Sequence, residues 1–180
     1  MILITTSHRP SPRTRSFAKD LASVLPGARK VNRGHKTLVE LALEAKYLKL
    51  DYVMVISEKE GNPRAINVYE VTNRDTLQPG LRKVVTLVLK GVKLSRENPE
   101  ASKAYNVVSV NVDSSSCISD DCFFLADLLM RIFSKLLSSK PNITFTLEES
   151  KYITLKCINV HGKPVGPVIS IVKVVKGEYR

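Results

Sequence analysis

The stretch ILITTSHRPSPRTRSFAKDLASVLPG, residues 2–27, contains the signals that decide the fold. It opens with a short apolar run, which predicts a buried strand. Ser11 suits a helix N-cap and Pro12 the first helical position, where a missing N–H costs nothing. Apolar residues then recur at helical spacing from Phe17 to Leu25, and a Pro-Gly pair ends the pattern. A strand that passes directly into a helix is typical of an α/β protein.

The chain continues with the same kinds of element. A second helix is predicted at residues 37–48, because Thr37 and Glu40 have the spacing of a capping box. The strands predicted next are 52–57, 65–71 and 84–94, with a turn at 58–64 and a bend at Gly91.

A polar linker at residues 95–105 precedes a second part with a similar order of elements. The predicted elements there are a strand at 106–112, a turn at 113–119, a helix at 120–139 and strands at 142–149, 152–160 and 167–175. Ser119 is the predicted N-cap of a helix that is apolar nearly all round, so we expect this helix to be buried. The repeated order predicts an α/β protein of two similar lobes, with mixed sheets each packed with helices.

Composition indicates a globular chain with no membrane span. Of 180 residues, 43% are apolar and 25% charged, and no apolar run approaches the length of a bilayer. The N-terminus lacks the pattern of a signal peptide, so we expect a cytoplasmic protein. None of the three cysteines, Cys117, Cys122 and Cys157, belongs to a C-x-x-C pair. We therefore expect small buried side chains, without a disulfide framework or a zinc site.

The positive charge is concentrated at the two ends of the chain. The formal net charge is +11, and residues 37–139 contribute none of it. Residues 1–36 hold a single acid, Asp20, and eight basic residues. These eight are the candidate site residues: Arg9, Arg13, Arg15, Lys19, Arg29, Lys30, Arg33 and Lys36. Such a distribution attracts polyanions, above all nucleic acid.

The candidate residues surround the junction between the first strand and the first helix. A helix N-terminus offers free N–H groups and the positive end of a dipole, and arginines there can hold phosphates in bidentate contacts. The chain contains no tryptophan and only 6% aromatic residues, which favours phosphate and shape contacts over base stacking. The alternative is a solvated loop whose arginines pair with acids elsewhere in the chain.

Motifs for catalysis are incomplete. Gly27, Gly34 and Lys36 imitate a P-loop, but the glycine spacing is wrong and a helix precedes the loop where a strand is required. His8 lies among cations, which disfavours a metal, and no nearby acid would orient it for a hydrolytic triad. We therefore expect no catalytic residues, no metal and no cofactor. The turns at 59–64 and 113–117 are interpreted as structural connections.

The ordered pieces ITTS, RTRSFAKDL, VLPGA, NRG and EKEGNPRAI resemble the Brix domain family of ribosome-biogenesis proteins. The resemblance covers about the first 71 residues, and the second half matches mainly in its order of elements. Where many eukaryotic members have a Gly-Pro-Thr segment, this chain has LQPGLRKVV. Without long extensions, it looks like the compact, stand-alone archaeal form.

The resemblance implies a single Brix-type domain over 1–180, with approximate lobes 1–82 and 83–180. It also implies binding of ribosomal RNA or its precursor during processing or subunit assembly, with other ribosome-assembly proteins as further expected partners. It implies no enzymatic activity, small-molecule substrate or membrane. Two other functions stay open: a protein-interaction scaffold without direct RNA contact, and an enzyme acting on nucleotide or RNA.

Overall fold

A computed structural model describes residues 1–177 as one nine-stranded sheet with three α-helices. The strands are β1 (Ile2–Thr6), β2 (Arg29–Lys30), β3 (Tyr52–Lys59), β4 (Asn62–Thr72), β5 (Gly80–Lys93), β6 (Val110–Ser116), β7 (Ile143–Glu149), β8 (Ile153–Asn159) and β9 (Pro164–Lys176). The helices are α1 (Pro12–Val24), α2 (Leu38–Tyr47) and α3 (Asp120–Ile132). Residues 178–180, the end of the predicted second lobe, lie outside the described residues.

The strand order is β2-β1-β3-β4-β5-β9-β8-β7-β6. In the first half β1 is parallel to β3, and α1, β2 and α2 lie between them in the chain; in the second half β6 leads through α3 to its parallel neighbour β7. Two antiparallel strands follow in each half. The two halves meet where β5 pairs antiparallel with β9. The α/β class predicted from the sequence is therefore confirmed. All strands belong to a single sheet, and the division into two superposable lobes stays a prediction.

The strand side chains alternate between two cores, one on each face of the sheet. Ile2 and Ile4 point to the larger core, which contains Phe17 of α1 and Leu125 of α3. Leu3 points the other way, to the smaller core under α2. This alternation follows from the period of two in a strand. On this second face of the sheet, α2 covers only the strands of the first half of the chain.

The predicted helix starts are correct. The hydroxyls of Ser11 and Ser119 cap α1 and α3, and Thr37 forms the capping box with Glu40 at α2. Each signal lies within four residues of the group it satisfies, so no tertiary information is needed.

Several predicted boundaries and contacts are wrong. The strand predicted at 106–112 is β6, and it includes most of the turn predicted at 113–117. The helix α3 ends at Ile132, and Phe123 and Met130 are partly exposed, so the helix is not buried all round. Cys117 and Cys122 form a disulfide, contrary to the expectation from their spacing. Cys157 is buried as expected.

Candidate functional site

The turn from β1 into α1 is fixed on both sides. The Ser11 hydroxyl accepts from the Thr14 N–H at 3.1 Å and donates to the Gly61 carbonyl at 2.8 Å. The Glu58 carboxylate accepts from the Ser11 N–H at 2.9 Å. Hydrogen bonds from the Thr14 side chain and from Ser11 hold the pKa of Glu58 below its ordinary value. The start of α1 is therefore attached to the turn that joins β3 and β4.

Three of the eight candidate residues line one depression beside this turn. We call it the basic groove: a cavity of about 250 Å³ lined by Arg15, Lys30, Asn32 and Arg33, with Thr6, Pro10, Val31 and Gly34. No Asp or Glu is among these lining residues. Because no acid in the lining neutralises these positive charges, the concave surface favours an anionic ligand.

The short strand β2 brings Lys30 to the groove. Lys30 pairs with Ile4 of β1, and the Val31 N–H donates to the Ile4 carbonyl at 2.9 Å. The Thr5 hydroxyl donates to the Val31 carbonyl at 3.0 Å. These bonds hold a loop segment, rich in basic residues, alongside the buried strand that precedes α1.

Arg33 is the most buried of the candidates, with 8% of its surface exposed. Its Nε donates to the Lys36 carbonyl at 2.6 Å, and its Nη2 lies 3.4 Å from Nε2 of His8. His8 Nδ1 lies 2.9 Å from the Gly34 carbonyl, which can only accept, so Nδ1 donates and Nε2 accepts from Arg33. Burial lowers the pKa of Arg33 below its ordinary value, but an arginine stays charged at neutral pH. Arg33 is thus a fixed cation in the wall of the groove.

Two other candidates are neutralised by acids from later in the chain. Arg13 forms a bidentate pair with Glu97, in which Nη2 lies 3.0 Å from Oε2, and Nη2 also donates to the Val92 carbonyl at 3.0 Å. Lys36 pairs with Glu44 at 2.7 Å. The alternative recognised in the sequence, arginines paired with acids elsewhere, therefore applies to Arg13.

The remaining candidates do not line the groove. Lys19 lines a separate depression with Asp20, whose carboxylate accepts from the Ser95 N–H at 2.8 Å. Arg9 and Arg29 are exposed, and neither side chain has a partner within residues 1–177. Arg9 also has a positive φ of 51°, a conformation that non-glycine residues adopt mainly in turns and functional loops.

A second basic depression lies on the opposite side of the start of α1, and sequence reasoning missed it. Its basic lining residues are Arg13, Lys59, Arg64 and Lys90. Residues 59–64, expected from the sequence to be a simple connection, supply several of its lining residues, including Lys59 and Arg64. The sequence signal that could have found it is the basic residue at each end of this segment, Lys59 and Arg64.

Within residues 1–177 no group of three or more His, Cys, Asp or Glu side chains could hold a metal ion. Over the same range, no helix is long and apolar enough to cross a membrane.

Comparison with known proteins identifies the family. The chain is 33% identical over 178 residues to a probable Brix domain-containing ribosomal biogenesis protein of Aeropyrum pernix, covering 94% of both chains. This chain belongs to the Brix domain family of ribosomal biogenesis proteins. A relative of the same description from Pyrococcus horikoshii is 42% identical over 97 residues, which is 54% of this chain and 41% of that protein. No family model matches the chain, so the assignment depends on such relatives.

Solved structures agree with this assignment. The crystal structure of a probable ribosomal biogenesis protein from Aeropyrum pernix has a TM-score of 0.79 at 32% identity, covering 94% of each chain. The crystal structure of Mil, an archaeal Imp4-like protein, has a TM-score of 0.67 at 25% identity and covers 97% of this chain and 99% of that chain. The resemblance that was visible mainly in the first half of the sequence thus extends over nearly the whole fold.

Proposed function

We propose that this Brix-family protein binds structured ribosomal RNA or its precursor through the basic groove, and acts as a non-enzymatic factor in rRNA processing or subunit assembly. The protein would work in the cytoplasm, beside ribosomal RNA and other assembly proteins, without a small-molecule substrate or a membrane. The observation that carries the proposal is the groove itself, where Arg15, Lys30 and Arg33 converge and no acid lines the wall.

The three cations of the groove suit a phosphate backbone in different ways. Arg33 is held by its own hydrogen bonds and loses little freedom when a ligand binds. Arg15 is exposed at the first turn of α1 and can reach outward to a phosphate with two parallel N–H donors. Lys30 adds a point charge, and its Nζ lies 3.2 Å from Oδ1 of Asn32. Phosphate contacts of this kind position an RNA without reading its sequence.

The first experiment measures how the affinity for a labelled stem-loop RNA depends on salt concentration. Each phosphate contact contributes about 0.7–0.9 to the slope of log K against log salt. Arg15→Gln should therefore flatten the slope by about 0.7–0.9 and weaken binding roughly five- to eightfold at 0.1 M salt. The fold should survive, because an exposed arginine usually contributes within about 0.5 kcal/mol.

Lys140→Gln is the matched control, because Lys140 is exposed and lines neither the basic groove nor the second depression. It removes one charge from the other basic end of the chain. If Arg15→Gln and Lys140→Gln change the affinity and the slope equally, the groove is not the contact surface. Crosslinking in native extract, followed by sequencing of the bound RNA, would identify the rRNA site.

A protein-interaction scaffold is the second candidate, and one observation favours it. The helix α2 exposes Val39, Leu43 and Tyr47 at intervals of four residues, and Tyr47 is 86% exposed. An apolar stripe on an outer helix face is typical of a protein contact. A salt slope near zero for the wild-type protein, with RNA crosslinks absent, would favour this function over RNA binding.

A further inference from the structure

The second basic depression lies between the β3–β4 turn and the middle of the sheet. It has a volume of about 430 Å³ and is lined by Arg13, Lys59, Glu60, Asn62, Pro63, Arg64, Lys90, Gly91 and Val92. We call it the hairpin pocket. Glu60 is the single acid among these lining residues.

Two β-bulges direct basic side chains into the hairpin pocket. In the β3–β4 ladder Ser57 pairs with Ala65 and Glu58 with Pro63, so Arg64 is the extra residue. In the β5–β9 ladder Leu89 pairs with Ile171 and Gly91 with Ser170, so Lys90 is the extra residue. Bulges leave one residue unpaired and change the direction of its side chain, and they are frequent next to functional sites.

A ligand could also approach the backbone of β5 where it lines the pocket, at Gly91. A Cβ built on Gly91 would have no heavy atom within 4 Å, so the strand has free space beside it at this point. The two-residue turn Glu60–Gly61 has positive φ at both positions, which is the geometry of a tight type I′ hairpin. This turn keeps Lys59 and Asn62 directly opposite each other at the rim.

The charges of the hairpin pocket are largely uncompensated. Arg13 is already neutralised by Glu97, but neither Lys59 nor Lys90 forms an ion pair with any residue of 1–177. Arg64 donates one hydrogen bond, from Nη1 to the Leu89 carbonyl at 3.1 Å, which fixes its guanidinium across β4 and β5. Within residues 1–177 the Arg64 guanidinium makes no other hydrogen bond, and both Arg64 and Lys90 line the hairpin pocket.

We infer that Lys59, Arg64 and Lys90 form a second phosphate-binding site, which takes a backbone phosphodiester of the same structured RNA. This inference rests on the proposed function. The hairpin pocket and the basic groove lie on either side of the first turn of α1, which the Ser11–Gly61 hydrogen bond attaches to the β3–β4 turn. One RNA backbone that crosses the start of α1 therefore contacts both.

Lys90→Gln is the main test, because the side chain of Lys90 forms no hydrogen bond or ion pair within residues 1–177. It should weaken binding of the labelled stem-loop RNA roughly five- to eightfold at 0.1 M salt and flatten the salt slope by about 0.7–0.9. Lys59→Gln should do the same. Lys90→Arg keeps the charge and should stay within about twofold of the wild type.

Lys93→Gln is the matched control, because Lys93 is exposed on the same strand and lies outside the hairpin pocket. If Lys90→Gln and Lys59→Gln bind like Lys93→Gln while Arg15→Gln is weakened, the second site is refuted and the proposed function stands. If the wild-type protein binds the RNA with no salt dependence, both are refuted. Melting temperatures of all variants should agree, since a loss of folding would otherwise imitate a loss of binding.

Discussion

Arg13 should stabilise the fold and contribute nothing to RNA binding, although the sequence groups it with Arg15. Its guanidinium is occupied by Glu97 and by the Val92 carbonyl, and the two side chains of the pair are 31% and 33% exposed. An exposed ion pair contributes about 0.2–1 kcal/mol, and a bond from a charged donor to a carbonyl adds to this. We therefore expect Arg13→Gln to lower the free energy of unfolding by about 1–2 kcal/mol, or the melting temperature by roughly 2–8 °C.

The assay combines thermal unfolding with the salt-dependent RNA titration. A double-mutant cycle with Glu97→Gln should give a coupling free energy of about 0.5–1 kcal/mol. The RNA salt slope of Arg13→Gln should equal that of the wild type. An unchanged melting temperature, together with a slope flattened as much as in Arg15→Gln, would refute the reasoning.

The stabilisation by this pair should also depend on pH. The hydrogen bond from Arg13 is the main reason that the pKa of Glu97 lies below its ordinary value of 4.5. A carboxylate with a depressed pKa in the folded state contributes stability above its unfolded pKa, and this contribution is lost as the pH falls through the folded value. The difference in melting temperature between wild type and Arg13→Gln should therefore shrink below about pH 4.5.

Three further substitutions test the fold. Thr37→Ala removes one side of the capping box and should cost about 1 kcal/mol in unfolding experiments. Gly166→Ala should cost at least about 2 kcal/mol, roughly 4–8 °C, because φ is +69° and a new Cβ would lie 2.5 Å from Val24. Reduction should lower the melting temperature of the wild type but not of Cys122→Ala, since closing the loop to Cys117 contributes about 2 kcal/mol. Equal melting curves with and without reductant would contradict the pairing.

Local signals explain what could be predicted from the sequence. The starts of all three helices are set by side chains such as Ser11 and Thr37, which bond to groups in the next turn. The boundaries of β6 were missed because they depend on a distant partner: Val110 pairs with Ile143, while residues before it are held by Asn142. The strand β2 is likewise too short to have a pattern of its own and exists through its pairing with β1.

The candidate site was predictable in the same limited sense. Charge along the chain indicated the region, and Arg15, Lys30 and Arg33 do converge there. The sequence could not indicate that Arg13 is paired, because Glu97 is 84 residues away. The hairpin pocket depends on two bulges in different ladders, and a bulge is a property of how strands pair rather than of either strand alone.

The pairing of β5 with β9 affects the order in which the newly made protein can fold. Chains are synthesised from the N-terminus at roughly 5–20 residues per second, so β5 emerges several seconds before β9. During that interval β5 is an open edge that can pair with other chains, and the apolar side of α1 lacks Gly166 of β9 as a neighbour. The half of the sheet that holds the basic groove is therefore complete only after β9, a strand of the other half, has paired with β5. Full RNA-binding affinity should appear only after this step.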